Sequence, residues 1–181
     1  MRHKHGYRKL ARNTPHRQAM LRNLACALLT YGRIVTTEAR AKETRRLVEK
    51  LITYAKKAHA AEQKNDKKTR LHYYNLAQRY VKNDALLKKL FGDIKNRFLT
   101  RQGGYTRILR LGGFRWKWDE KGGGRGKVAY NRLGDQAQKV FLELTERKEK
   151  DEEEYLACTG KRFEKERAAK RATMTEKEKN K

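Results

Sequence analysis

No carboxylate occurs in this chain before Glu38, and the stretch ahead of it, MRHKHGYRKLARNTPHRQAMLRNLACALLTYGRIVTT, holds eight Lys/Arg and three His. A segment of one charge sign cannot pack against another like it, so any core must leave this charge outside, facing solvent or a polyanion. The imbalance continues along the chain. Residues 1–146 carry 35 Lys/Arg against 12 Asp/Glu, residues 147–181 carry 12 against 9, and the whole reaches a formal net charge of +26. Such a surplus repels itself until it is screened. Neutralising phosphates with Lys and Arg releases condensed counterions, a sequence-independent source of nucleic-acid affinity.

Other composition limits are quickly drawn. At 181 residues the chain suffices for one compact domain with extensions. No apolar run approaches the roughly 20 residues that span a bilayer, and the helices described below carry core-like stripes, which disfavours a membrane surface. Cys26 and Cys158 lie far apart without CxxC spacing, so they form neither a disulfide framework nor a zinc motif and fit a reducing compartment. Charge continues where a secretory signal would turn apolar. A transit peptide shares the basic character, but this segment has no Ser and merges into a patterned helix.

Residues 1–13 show no apolar periodicity and read as an arm that orders on its partner. Thr14 offers an N-cap oxygen and Pro15 suits the first helical position, where a missing N–H costs nothing. Leu21, Leu24, Ala25, Leu28 and Leu29 then follow one buried stripe, and Gly32 is placed to end the helix. Arg33–Thr37, RIVTT, is β-branched and expected as a strand, with Thr37 capping a second helix to about Lys57. In that helix Leu47, Val48, Leu51, Ile52 and Ala55 form the core stripe, opposite Lys42, Arg45, Arg46 and Lys50. His59–Lys68 lacks large apolar residues and reads as a polar linker or frayed end.

Two further helices are marked by Leu71, Tyr74 and Val81 and by Leu87, Leu90, Phe91, Ile94 and Phe98, with Asn83 as the cap between them. Gly103 and Gly104 introduce the strand YTRILRL. In the partner strand VFLELT, Val140, Leu142 and Leu144 alternate with Phe141, Glu143 and Thr145 in the period of a half-buried sheet. Between them lies a long connection containing RWKW, Arg115–Trp118, and a GGGRG turn; connections of this length are often functional. Beyond Glu146 the composition shifts to Glu, Lys, Arg and Ala, as in an exposed helix or a disordered tail. The expected architecture is α+β: about four helices on a small three-stranded mixed sheet. It is organised as a basic arm (1–13), a single domain (14–146, with a 115–139 insertion) and a charged, partly helical or disordered extension (147–181).

Catalytic groups do not converge in this pattern. H-E-x-x-H, P-loop and nucleophile-elbow motifs are missing, and GGGRG lacks the preceding strand and the GK[ST] of a phosphate-cradling loop. The Asp151–Glu154 run reads as a solvated charge block. His3, His5 and His16 sit amid like charge without Cys or carboxylate help, so they are poor metal ligands. Cys26 falls on the apolar stripe and reads as an inert thiol. What remains is nucleic-acid chemistry: Arg forks and Lys point charges for phosphate, aromatic faces for unstacked bases. Trp116 and Trp118 of RWKW could equally pack on the domain.

Three motifs in register, MRH with Leu10, Arg12, His16 and Arg17, then TTEARAKETRRLVEKLITYAKK, then GGYTRIL, closely resemble the bacterial large-subunit ribosomal protein L17 family from Met1 to about Phe114. VFLELTER resembles its closing strand. The resemblance implies a non-catalytic structural component of the large subunit, without cofactor, metal or small-molecule substrate. Its implied partners are large-subunit ribosomal RNA near the nascent-chain exit region and neighbouring ribosomal proteins, in a cytoplasmic bacterial ribosome rather than an organellar one. It implies RNA contacts at Arg2, His3, Arg8, Lys9, Arg12, His16, Arg17, Arg22, Tyr105 and Arg107. We add Lys4 of the same arm, Arg101 and Arg110 flanking GGYTRIL, and Arg115 of RWKW. Two departures from the family pattern, the 115–139 insertion and the tail, receive no role from it; we expect the insertion to add a peripheral RNA or protein contact. The rival reading is a DNA-binding regulator or nucleoid protein with the first helix in the major groove, although no short helix-turn-helix pair is evident.

Overall fold

The computed structural model describes residues 6–111, 114–118, 125–129, 132, 135 and 137–146, with the side chains of 114–118 and 125–129 outside the description. Helix α1 spans Thr14–Tyr31 with Pro15 in its first turn; its cap residue is Asn13, one position before the expected Thr14, and the Asn13 side chain makes no capping bond. Gly32 ends α1 at φ 67°, a left-handed conformation that favours glycine, and its N–H donates to the Leu28 carbonyl. Strand β1 follows at Arg33–Thr37.

Helix α2 runs from Glu38 to Gln63, well past the expected end near Lys57. The misreading has a physical source. Ala58 and Ala61 are too small to register as an apolar stripe, yet both are buried, as is Ala77 of the neighbouring helix α3, Lys67–Gln78. Short side chains let α2 and α3 pack closely, so buried alanines serve where an apolar stripe of large residues is lacking. Asn65, at φ 57°, turns the chain, and Asp66 caps α3 by accepting from the Thr69 N–H at 3.1 Å. Those bonds from Thr69 hold the Asp66 carboxyl below the usual carboxylate range. Leu71, expected on the core stripe, is instead 59% exposed.

Helix α4, Asp84–Lys89, begins as expected at Asn83, whose Oδ1 accepts from the Ala85 N–H at 2.9 Å. It continues as a π-helical turn, Leu90–Ile94, and finishes as the short α5, Lys95–Arg97. The widened turn keeps Leu87, Leu90, Ile94 and Phe98 all buried on one side.

Strands β2, Thr106–Arg110, and β5, Lys139–Leu144, complete the main sheet in the order β1-β5-β2. Both outer strands run antiparallel to β5, so the sheet is antiparallel throughout and not mixed. Inserting β5 between two strands that are parallel to each other removes any parallel ladder. Ile34, Leu142 and Ile108 are in register on the face covered by helices, with Val140 and Leu144 buried beside them. The connection expected as one long loop contains a second antiparallel pair, β3 (Phe114–Trp118) with β4 (Arg125–Ala129), Trp118 opposite Arg125.

The opposite face of the main sheet holds an arrangement that single-strand periodicity does not reveal. Glu143 was expected as a half-exposed polar residue, but its side chain is fully buried between Arg33 of β1 and Arg107 of β2. Arg33 Nε donates to Glu143 Oε2 at 2.6 Å, and Arg107 Nε donates to Oε1. One carboxylate on the central strand thus ties all three strands together. Hydrogen bonds to a charged group are worth about 1.5–3 kcal/mol in favourable cases. Because Arg107 is half exposed, solvent screens part of that gain.

Two stability predictions follow from these contacts, each checked by urea or thermal unfolding of the free protein. Glu143→Ala should cost about 2 kcal/mol, less than the 3–5 kcal/mol of a fully stranded buried charge, because both arginines can turn to water. Asn83→Ala should cost about 1 kcal/mol through loss of the helix cap. No change for either variant would contradict the contact that it removes.

Candidate nucleic-acid interface

Residues 6–13 contain no helix or strand and are held against the body. Arg46 of α2 donates a hydrogen bond to the Gly6 carbonyl, and the Arg17 guanidinium lies 5.0 Å from the Tyr7 ring centroid. The Arg12 N–H closes a turn onto the Lys9 carbonyl at 3.3 Å. Inside that turn Leu10 and Ala11 take positive φ values of 57° and 49°. Left-handed backbone at two consecutive non-glycine residues costs free energy, and such strain is retained where neighbouring structure enforces it. The turn brings Arg12 to His16 on the first turn of α1, where its guanidinium donates to ring Nε2 at 2.7 Å.

Between this arm and the start of α2 lies a cleft of about 520 Å³ lined by Arg8, Leu10, Glu38, Arg40, Lys42, Arg132 and Asp135, among others. Its two carboxylates are already engaged. Glu38 pairs with Lys42 at 2.8 Å and with Arg110 at 3.1 Å, and these partners lower its pKa from the ordinary value. The Arg132 fork holds the Asp135 carboxyl far below the usual range. Arg8 and Arg40 have no ion-pair partner among the described residues, so the cleft presents uncompensated guanidinium groups. Its chemistry suits phosphate, which Arg can grip with two parallel N–H groups.

The expected contact residues separate into three groups. Arg8, Lys9, Arg12, His16 and Arg17 lie together on the arm and the opening turn of α1; Arg8, Lys9 and His16 are exposed and Arg12 and Arg17 half-buried. Arg22 is half-buried further along α1, with its Nε buried and without a hydrogen-bond partner. A second group is on the sheet side: Arg101 is ion-paired with Glu146 at 3.8 Å, Arg107 with Glu143, and Arg110 with Glu38. These cations are partly neutralised by the protein itself. Arg2, His3, Lys4 and the side chain of Arg115 lie outside the described residues, as does the tail from 147.

Tyr105 belongs to neither surface. It is 4% exposed, its ring meeting Phe98 edge-on at 5.4 Å between centroids, with the Lys56 ammonium 5.4 Å from its centroid. Its ring is a core element and is not offered to a base. Missed in the sequence was Arg33, whose guanidinium lies 4.8 Å from the centroid of Phe141 on the open sheet face, beside exposed Val35 and Leu109. The strand register that stacks these residues could have been anticipated only by pairing RIVTT with VFLELT. Cys26 is half-buried, and burial pushes its thiol pKa up, consistent with an unreactive packing role.

Among the described residues no group of His, Cys, Asp and Glu could hold a metal ion, and no helix is long and apolar enough to cross a membrane. The family described as Ribosomal protein L17 matches residues 20–123. The large ribosomal subunit protein bL17 of Staphylococcus haemolyticus is 44% identical over 141 residues, covering 78% of this chain and 99% of the relative. Its counterparts in Staphylococcus epidermidis and Staphylococcus aureus are each 45% identical over 139 residues, 77% of this chain and 98% of the relative. About a fifth of this chain therefore has no counterpart in these relatives. Identity of this extent, over nearly the whole length of these relatives, establishes that the chain belongs to the ribosomal protein L17 family.

Proposed function

We propose that this protein is a structural component of the large ribosomal subunit. The reading rests on its family, whose relatives are named as large-subunit proteins, and on the cleft in which Arg8 and Arg40 stand without carboxylate partners among the described residues. Ribosomal RNA is the polyanion that answers this surface. The arm and the first turn of α1 lie along phosphates, the cleft receives the backbone, and the apolar stripes of α1 and α2 hold these cations on a rigid body. Neighbouring ribosomal proteins complete the setting, near the nascent-chain exit region and in the cytoplasm of a bacterium, as the family resemblance implies. Arg2, His3 and Lys4 extend the same surface.

No chemical step is involved: function is neutralisation and positioning. Arg33, Arg107 and Arg110, each tied to a carboxylate, contribute less free charge than the arm. Electrostatic binding of this type falls steeply with salt, because each neutralised phosphate contributes a slope of about −0.7 to −0.9 in log K against log salt. The β3–β4 pair lies in the insertion and supplies a peripheral RNA or protein contact.

The decisive experiment is co-sedimentation with large subunits through gradients run with and without ribonuclease. Ribonuclease-sensitive co-migration is expected; association with DNA instead would favour a nucleoid protein. In a salt titration with a large-subunit RNA fragment, Arg8→Ala, Arg12→Ala and Arg17→Ala combined should flatten the slope by about 2–3 units. A slope equal to that of the unmodified protein would remove the arm from the interface.

A further inference from the structure

A second cavity, of about 330 Å³, lies among α2, α3, α4 and the π-helical turn. That volume falls at the lower end of the roughly 300–1,000 Å³ typical of small-ligand pockets. Its wall includes Tyr74 and Phe91, whose ring centroids lie 5.1 Å apart at an interplanar angle of 41°. Lys88 and Lys95 also line it, and neither has a carboxylate partner among the described residues. Lys95 is 9% exposed, and its ammonium meets ring Nδ1 of His59 at 3.3 Å. An imidazole supplies no negative charge of its own, and the carboxylate of Glu62 stands 3.9 Å from the same ring nitrogen rather than on the ammonium. Burying a cation in this way is unfavourable until an anion arrives.

The backbone of the cavity supplies an independent observation. Gly92 sits in the π turn and lines the cavity, and a Cβ built there would meet nothing within 4 Å. Packing therefore does not require glycine at this position, although glycine is among the poorest helix formers. What glycine does is leave the cavity mouth open. π-helical turns of this kind recur at functional sites, where the extra residue in the turn redirects side chains.

We propose that this cavity receives a single extruded nucleotide of ribosomal RNA, with its base against Tyr74 and Phe91 and its phosphate on Lys88 and Lys95. The proposal rests on the RNA-binding reading given above and adds a discrete, base-accepting site that shares no lining residue with the cleft beside the arm. An aromatic wall beside two ammonium groups that have no carboxylate partner among the described residues matches the recognition of unstacked nucleotides, which combines stacking with backbone neutralisation. Arg70, paired with Glu62 at the rim at 3.7 Å, is positioned to exchange that carboxylate for a flanking phosphate.

The test is base-specific chemical probing of large subunits that carry the full-length protein, Gly92→Leu, Lys95→Met or Lys88→Gln, compared with subunits lacking it. In wild-type subunits one unpaired base should be protected. Gly92→Leu, which fills the mouth, and Lys95→Met, which removes the ammonium, should each raise the reactivity of that base at least five-fold at equal protein occupancy, while protections due to the arm persist. Gly92→Ala should leave the free protein at least as resistant to heat as wild type, which separates the role of the glycine from folding. Should Gly92→Leu fail to fold or to join the subunit, Lys95→Met and Lys88→Gln decide the matter alone. Unchanged reactivity in occupied variants would overturn the proposal while sparing the arm. Zero-length carbodiimide cross-links from Lys88 or Lys95 to a carboxylate of a neighbouring protein would also overturn it, replacing the nucleotide with a protein occupant. Absence of every RNA protection in wild-type subunits would instead sink the RNA reading itself.

Discussion

Forty-seven Lys/Arg against 21 Asp/Glu is the constraint under which every part of this structure is arranged. A compact body tolerates such an excess only if its apolar residues are concentrated inward and its few carboxylates stand where they bind most. The core meets the first condition through continuous stripes: Ala25, Leu28 and Leu29 of α1, Val48, Leu51 and Ile52 of α2, and Leu87, Leu90 and Ile94 of the fourth helix close over Val140, Leu142 and Leu144. Glu143 meets the second by joining Arg33 and Arg107 across the sheet, and Glu38 by joining Lys42 and Arg110 where α2 begins. With those carboxylates engaged internally, the arm and its cleft are left cationic. The same shortage that strains the free protein leaves its surface complementary to a polyanion.

Much of this architecture was legible residue by residue. Helical stripes, the left-handed Gly32 and the Asn83 cap are local signals, each produced by interactions within a few residues of chain. What escaped was set by distance or by size. Glu143 appears as an ordinary outward position until β1 and β2 are placed on either side of it, partners 110 and 36 residues away. The end of α2 is not legible in the sequence because Ala58 and Ala61, although buried, are too small to mark an apolar stripe. Tyr105, assigned to RNA through its family position, is buried against Phe98, while its neighbour Arg107 faces outward. Cationic residues were identified by type, but only the fold separates those already paired from those left free.

That separation matters for how the protein works. Arg8, Arg12 and Arg17 lie on a short segment braced by Arg46 and by a strained turn at Leu10 and Ala11, so their geometry is partly organised in the free protein. Pre-organisation lowers the ordering cost of binding. The sheet-side arginines hold the scaffold together, and the antiparallel sheet in turn fixes where α2 begins and hence where the cleft opens. Charge, packing and binding surface are thus one arrangement viewed at three scales.

Ultraviolet cross-linking of intact large subunits, followed by mass spectrometry of the peptide–nucleotide adducts, tests this account most directly. Adducts should concentrate between Tyr7 and Arg22 and around Arg40, with the buried peptide around Leu142 free of them. Adducts missing from the arm and cleft, with those segments cross-linked only to other proteins, would contradict it.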